Sequence, residues 1–169
     1  MLRLMLFRHA EADRPDNVAD HERPLSVRGL EQARLMGEHI KANSLVPDLA
    51  IVSSARRTQE TWSAASSEAG FSPRKVDEPR IYESTAGNLL EVLREQDAAH
   101  ARIMMVGHNP GMERLAAWLL NSGDAAALAR LQREFVVGGL AVLDFQVTSW
   151  KELDVRSGHL ARFDTPESV

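Results

Sequence analysis

The sequence contains no cysteine among its 169 residues. This absence excludes disulfide bonds, thiolate metal sites and a cysteine nucleophile. Long apolar runs are lacking too: the N-terminal run is too short for a signal peptide, and no later run is long enough to span a bilayer. We therefore expect a cytoplasmic protein that has no membrane partner.

An excess of positive charge is also missing. Lys and Arg number 20 against 24 Asp and Glu, which gives a formal net charge of -4. A protein that binds nucleic acid through phosphate attraction normally shows a basic face, so we expect no nucleic-acid partner. The length suits one domain, and no repeat, low-complexity segment or linker divides residues 1–169.

Three short apolar runs predict strands that are buried on both faces, as in a parallel sheet. They cover residues 4–7, 48–53 and 102–107. A weaker pattern predicts a further strand at Arg80-Ile81-Tyr82. The stretches 139–147 and 160–163 alternate and predict an antiparallel C-terminal hairpin.

Apolar residues spaced by three and four predict five helices between these strands. The first helix begins after the expected N-cap Ser26, and the second runs from Ser54 to Gly70. The other three cover residues 88–96, a segment after Gly111, and residues 125–134. Alternating strands and helices predict a single α/β domain, with a mainly parallel central sheet flanked by helices.

Cationic and imidazole side chains stand at the ends of three predicted strands. The first strand ends in Arg8-His9, the second is followed by Arg56-Arg57, and the strand at 102–107 leads into His108. Carboxyl ends of neighbouring parallel strands share one sheet edge, where ligands bind in open α/β proteins. Guanidinium groups bind phosphate oxygens, and a histidine crowded by cations is biased towards its neutral, nucleophilic form. These residues predict phosphoryl transfer through a phosphohistidine intermediate.

Each feature also has a structural interpretation. A histidine after a strand is commonly a solvated loop residue, and Asn109-Pro110-Gly111 favours a turn whatever its function. Arg56-Arg57 could begin a solvated helix, although cations at a helix N-terminus oppose the helix dipole and so favour an anionic partner. The polar stretch 11–24 is either a solvated loop or a guard at the mouth of the site.

Four segments in chain order resemble the histidine phosphatase superfamily, which includes phosphoglycerate mutases and acid phosphatases. Arg8-His9-Ala10 stands where the family has Arg-His-Gly, and residues 24–29 are similar to Pro-Leu-Thr-x-x-Gly. Residues 53–61 follow Ser-Pro-x-x-Arg-Ala-x-Gln-Thr with serine replacing proline, and residues 106–110 match the motif of the second histidine. The resemblance is greatest to small phosphohistidine phosphatases of the SixA type, and it implies a parallel sheet flanked by helices.

The resemblance implies a role for each matching residue. His9 would accept the phosphoryl group, while Arg8, Arg57 and His108 would bind it and Asn109 would contribute to the substrate site. No metal or organic cofactor is implied.

The register of the third segment separates two adjacent arginines. Counting four residues on from Ser53, or four back from Thr61, reaches Arg57 in both cases. Arg56 is then expected at the rim or in solvent.

Three residues are candidates for the proton donor. Many relatives use an acidic residue on a loop after the third strand, and Glu83 lies in that region. Asp20 and His21 on the first loop are the other candidates. A leaving imidazole needs less protonation than an alkoxide, so a strong acid is not required.

Chain length favours an open site, because there is little spare sequence for a lid. We therefore expect a phosphorylated substrate in the form of a phosphohistidine-bearing protein. A phosphatase or mutase acting on a small phosphorylated metabolite is the alternative. A non-catalytic phosphate-binding regulatory module is a further one, although binding alone does not need a nucleophile.

Overall fold

Seven strands and five α-helices alternate along the computed structural model, which describes residues 1–169. The strands are β1 (Leu2–Arg8), β2 (Leu49–Ser53), β3 (Arg74–Glu78), β4 (Arg102–Gly107), β5 (Leu120–Gly123), β6 (Leu140–Phe145) and β7 (Gly158–Asp164). The helices are α1 (Val27–Ala42), α2 (Arg56–Ala69), α3 (Ala86–Arg94), α4 (Gly111–Leu119) and α5 (Ala125–Arg133). Short 3-10 helices cover Asp20–Glu22, Pro79–Ile81 and Trp150–Glu152. None of the helices combines the length and the apolar character needed to cross a bilayer.

All seven strands join one sheet in the order β3-β2-β4-β1-β6-β7-β5. Strands β2, β4 and β1 are parallel neighbours in its centre. Strand β6 runs antiparallel to β1, and β7 runs antiparallel to β6. The predicted α/β fold, with a mainly parallel sheet and an antiparallel C-terminal pair, is confirmed.

Helices cover both faces of the sheet, which explains the unbroken apolar run in β1. Leu4 and Leu6 point into a cluster of 27 buried residues that includes side chains of α3, α4 and α5. Met5 and Phe7 point the other way, into a cluster of 13 that includes side chains of α1 and α2. Because successive side chains of a strand alternate between faces, a strand between two helical layers needs an apolar residue at every position.

Two predicted helix boundaries are confirmed in atomic detail. The Ser26 hydroxyl accepts a hydrogen bond from the Gly29 backbone N–H and caps α1. Gly70, at φ 72°, ends α2 in the left-handed conformation that glycine adopts without steric cost.

The strand predicted at Arg80-Ile81-Tyr82 is wrong. Arg80 and Ile81 belong to the 3-10 helix that begins at Pro79, and the edge strand β3 lies earlier, at Arg74–Glu78. Proline has no N–H for a sheet ladder, so the strand ends before it. Strand β3 is largely exposed and pairs only with β2, so its sequence has no apolar signal. The four-residue edge strand β5 was not predicted, because it is short and largely polar.

Candidate active site

The carboxyl ends of the central strands bring the two predicted histidines together. Arg8 and Gly107 are register partners at the ends of β1 and β4. The His9 backbone N–H then donates to the Gly107 carbonyl at 3.1 Å. The two rings leave the sheet side by side, and the centroids of His9 and His108 lie 5.4 Å apart.

A cavity of about 630 Å³ opens over this edge of the sheet. All of the residues predicted for the site are among those that line it: Arg8, His9, Arg57, Glu83, His108 and Asn109. Asp20 also lines the cavity, whereas His21 and Arg56 do not. Instead, the His21 Nε2 atom lies 2.9 Å from the Ser54 hydroxyl, and the exposed Arg56 pairs with Glu60.

The His9 ring is held in one tautomer. Its Nδ1 atom lies 2.7 Å from the Ala10 carbonyl, and a carbonyl only accepts, so Nδ1 carries the hydrogen. The Ala10 N–H in turn donates to the Thr61 hydroxyl at 3.0 Å, which fixes this peptide against α2. When the ring is neutral, its lone pair is therefore on Nε2.

Burial, together with the nearby Arg57 and Arg8, lowers the pKa of His9 to about 4. The cations that the sequence predicts beside His9 do favour its neutral form, but loss of solvation is the larger cause. At neutral pH this imidazole is uncharged and available as a nucleophile.

His108 is likewise kept neutral. Burial, together with the neighbouring His9 and Arg57, lowers its pKa to about 3. Its Nε2 atom lies 2.8 Å from the hydroxyl of Ser53, a fully buried residue at the end of β2. Sequence reasoning did not assign Ser53 to the site, although a hydroxyl at the end of a buried strand is a usable signal.

Arg8 is held by the main chain of a distant segment. Its Nη1 donates to the Phe135 carbonyl at 2.8 Å, and the Asn109 amide donates to the same oxygen at 3.0 Å. No sequence signal marks Phe135, because its contribution comes from the backbone. The Arg8 Nε atom is buried and has no hydrogen-bond partner in the protein.

Arg57 is 6% exposed and contacts the first loop. Its Nη1 donates to the Asp20 carbonyl at 2.8 Å, and its Nη2 donates to the Asp20 carboxylate at 3.2 Å. Like that of Arg8, the Arg57 Nε is buried and unpartnered within the protein. Unpaired buried donors are uncommon and costly, and two on arginines that line one cavity are suited to an oxyanion.

Asp20 accepts two further hydrogen bonds. The Tyr82 hydroxyl donates to it at 2.6 Å and Arg23 Nη1 at 2.9 Å. The Tyr82 hydroxyl, Arg23 and Arg57 hold the pKa of Asp20 well below its usual range, so at neutral pH this carboxyl has no proton to give. Burial and Asp20 raise the pKa of Tyr82 to about 12. Tyr82 and Arg23 were not predicted for the site.

Glu83 lies at the wall of the same cavity. It is exposed and has φ 48°, in the left-handed region, which places it on a sharp turn between Tyr82 and α3. Its side chain makes no hydrogen bond or ion pair in the structure. No group of three or more His, Asp or Glu side chains is arranged to hold a metal ion.

Comparison with known proteins agrees with this geometry. Residues 4–104 match the family model of the histidine phosphatase superfamily (branch 1), and the chain belongs to that superfamily. An uncharacterised protein of Mycobacterium tuberculosis is 31% identical over 162 residues, which cover 95% of this chain and 99% of that protein.

Two solved structures share the fold closely. A candidate phosphohistidine phosphatase SixA from Agrobacterium tumefaciens has a TM-score of 0.80 and 28% identity, with 98% of each chain covered. Another SixA candidate, from Nakamurella multipartitia, has a TM-score of 0.83 and 24% identity over 98% of this chain and 96% of that chain.

Proposed function

We propose that this phosphatase hydrolyses its substrate through a phosphohistidine intermediate on His9, and that the substrate is a phosphohistidine side chain of a protein. The observation that carries the proposal is the buried His9 ring, with Nδ1 hydrogen-bonded to the Ala10 carbonyl, beside the buried Arg57 and the half-buried Arg8, whose Nε atoms are both unpartnered. Nucleophile and oxyanion donors then meet in one cavity, as phosphoryl transfer requires.

In the first step, the His9 Nε2 lone pair attacks phosphorus, and the bond from phosphorus to the leaving group breaks. Arg8, Arg57 and His108 lie around the equatorial oxygens and stabilise the transferred phosphoryl group. The leaving imidazole nitrogen takes up a proton, for which Glu83 is the proposed donor because it lines the cavity and is not engaged elsewhere.

In the second step, water attacks the phosphorus of the intermediate. The bond between phosphorus and Nε2 breaks, inorganic phosphate leaves, and the water gives up one proton, which the Glu83 carboxylate takes up. The neutral His9 ring is regenerated with its Nδ1 hydrogen still donated to Ala10.

An open cavity supports a protein substrate, since a phosphorylated side chain must reach His9 from the surface of its carrier. The similarity to the SixA candidate of Agrobacterium tumefaciens, at 28% identity, supports the same substrate class. One observation favours the small-metabolite alternative. Arg14 and Arg114 also line the cavity and are exposed, and neither guanidinium group has a hydrogen-bonded or ionic partner, so these side chains could bind a second anionic group.

Two measurements test the proposal. His9→Ala should abolish hydrolysis of an aryl phosphate, and acid-labile, base-stable phosphoryl label should form on the wild type alone. His100→Ala is the matched control, because that ring is outside the cavity. Substantial activity in His9→Ala contradicts the assignment of His9 as the nucleophile.

The second measurement compares kcat/KM for a phosphohistidine protein, a small phosphoramidate and sugar phosphates. A preference for the phosphohistidine protein is expected. A preference for a sugar phosphate contradicts the proposed substrate class but does not contradict the role of His9 as the nucleophile.

A further inference from the structure

Asp20 engages both terminal nitrogens of Arg57. The backbone carbonyl accepts from Nη1 at 2.8 Å, and the carboxylate accepts from Nη2 at 3.2 Å. A carboxylate and a phosphoryl group both accept paired N–H donors from guanidinium, so Asp20 offers Arg57 the same kind of partner that a substrate does.

Few buried contacts hold the loop that carries Asp20. The 3-10 helix Asp20–Glu22 has no buried residue, and the Asp20 side chain is 42% exposed. The base of the loop is closed by a backbone hydrogen bond from Asp13 to Pro24 and by the Ala12–Leu25 bridge. Because few buried contacts hold the tip, a shift of Asp20 is opposed mainly by the hydrogen bonds that this residue itself accepts.

Two other donors hold the Asp20 carboxylate independently of Arg57. The Tyr82 hydroxyl and Arg23 Nη1 remain available to it when Arg57 turns to another anion. Tyr82 also lies beside the site, since its ring centroid is 5.5 Å from that of His108. Asp20 therefore has a second set of partners within reach.

We propose that Asp20 is a positioning residue that competes with phosphate for Arg57, so that it holds this guanidinium ready between turnovers and weakens the binding of the inorganic phosphate product. The inference rests on the proposed function, because it takes Arg57 as a phosphate ligand. A phosphate bound to Arg57 lies within a few ångströms of the Asp20 carboxylate, and like charges at that separation repel even where solvent reaches them.

Binding of inorganic phosphate, followed by isothermal titration calorimetry, tests this competition without requiring turnover. Asp20→Asn keeps an oxygen acceptor but removes the charge, and we expect it to bind phosphate about tenfold more tightly, the order expected for one unit charge near a partly exposed anion. Asp13→Asn is the matched control: it changes net charge equally on the same loop, and only the backbone oxygen of Asp13 contacts Arg23. It should bind phosphate within about twofold of the wild type.

The direction of the change separates this role from a structural one. Loss of loop structure would weaken phosphate binding, whereas loss of a competing anion strengthens it. Phosphate binding by Asp20→Asn that is equal to or weaker than that of the wild type overturns the inference.

A second variant tests the same competition in case Asp20→Asn misfolds. Tyr82→Phe removes one donor from the Asp20 carboxylate, so Asp20 should pair more strongly with Arg57 and weaken phosphate binding a few-fold. Unchanged or tighter binding in this variant contradicts the competition. If the wild type binds no phosphate, or if Arg57→Ala binds it as well as the wild type, the proposed function fails first and the inference fails with it.

Discussion

Replacing Arg57 by alanine is expected to reduce the hydrolysis rate by about 10²–10³-fold, the cost of removing one donor that stabilises a developing oxyanion. Arg57 is 6% exposed, lines the cavity beside His9 and carries a buried, unpartnered Nε–H. The expected fall in rate on removal of the Arg57 side chain corresponds to a loss of about 3–4 kcal/mol of transition-state stabilisation.

The adjacent Arg56 provides the comparison. It is exposed, lies outside the cavity, and makes one ion pair with Glu60 at 3.2 Å, one helical turn away. Such a pair contributes about 0.3–0.5 kcal/mol to stability. Arg56→Ala should therefore change the hydrolysis rate by less than about twofold and leave the melting temperature close to that of the wild type.

The assay is hydrolysis of p-nitrophenyl phosphate at saturating substrate, with thermal melts of both variants. The melts are needed because Arg57→Ala also removes two hydrogen bonds to Asp20. Arg57→Lys keeps the charge but not the planar fork, so it should recover only part of the rate. A larger rate loss in Arg56→Ala than in Arg57→Ala would refute both the register and the placement of Arg57 in the site.

Burial and packing give three further predictions. The hydrolysis rate should rise with pH through about 4, as His9 loses its proton, and a rate that falls over this range contradicts attack by the neutral ring. Because the unfolded chain binds that proton first, at its ordinary pKa of about 6.5, the His9 ring should contribute about 3 kcal/mol to the fall in the free energy of unfolding from pH 6.5 to pH 4. Urea unfolding of the wild type and His9→Asn measures this difference, which should shrink in the variant. Gly37→Ala should lower the melting temperature clearly, since an added Cβ would lie 2.1 Å from the Ala65 carbonyl oxygen. Gly87→Ala should cost nothing, because its Cβ would meet only the Thr85 hydroxyl, at 3.9 Å, an ordinary van der Waals contact.

The central strands could be predicted from sequence because burial on both faces demands apolar residues throughout. Residues 4–7, 49–52 and 103–106 are all buried, and their strands alternate with amphipathic helices that cover them. The edge strand β3 escaped prediction for the opposite reason. Four of its five residues are charged and four are exposed, and only pairing with β2 makes them a strand.

The order of the residues along the chain is enough to show which groups are available: two histidines and two arginines, in segments that belong at strand ends, and no cysteine. These groups can be identified from the sequence because each motif is defined by the spacing of residues within a short segment. The tertiary structure alone decided how those groups are held. The Ala10 carbonyl selects the His9 tautomer, the Phe135 carbonyl holds Arg8, and Asp20 reaches Arg57 across 37 positions of the chain. Such contacts depend on loop closure and on backbone atoms common to every residue, so no local pattern in the sequence specifies them.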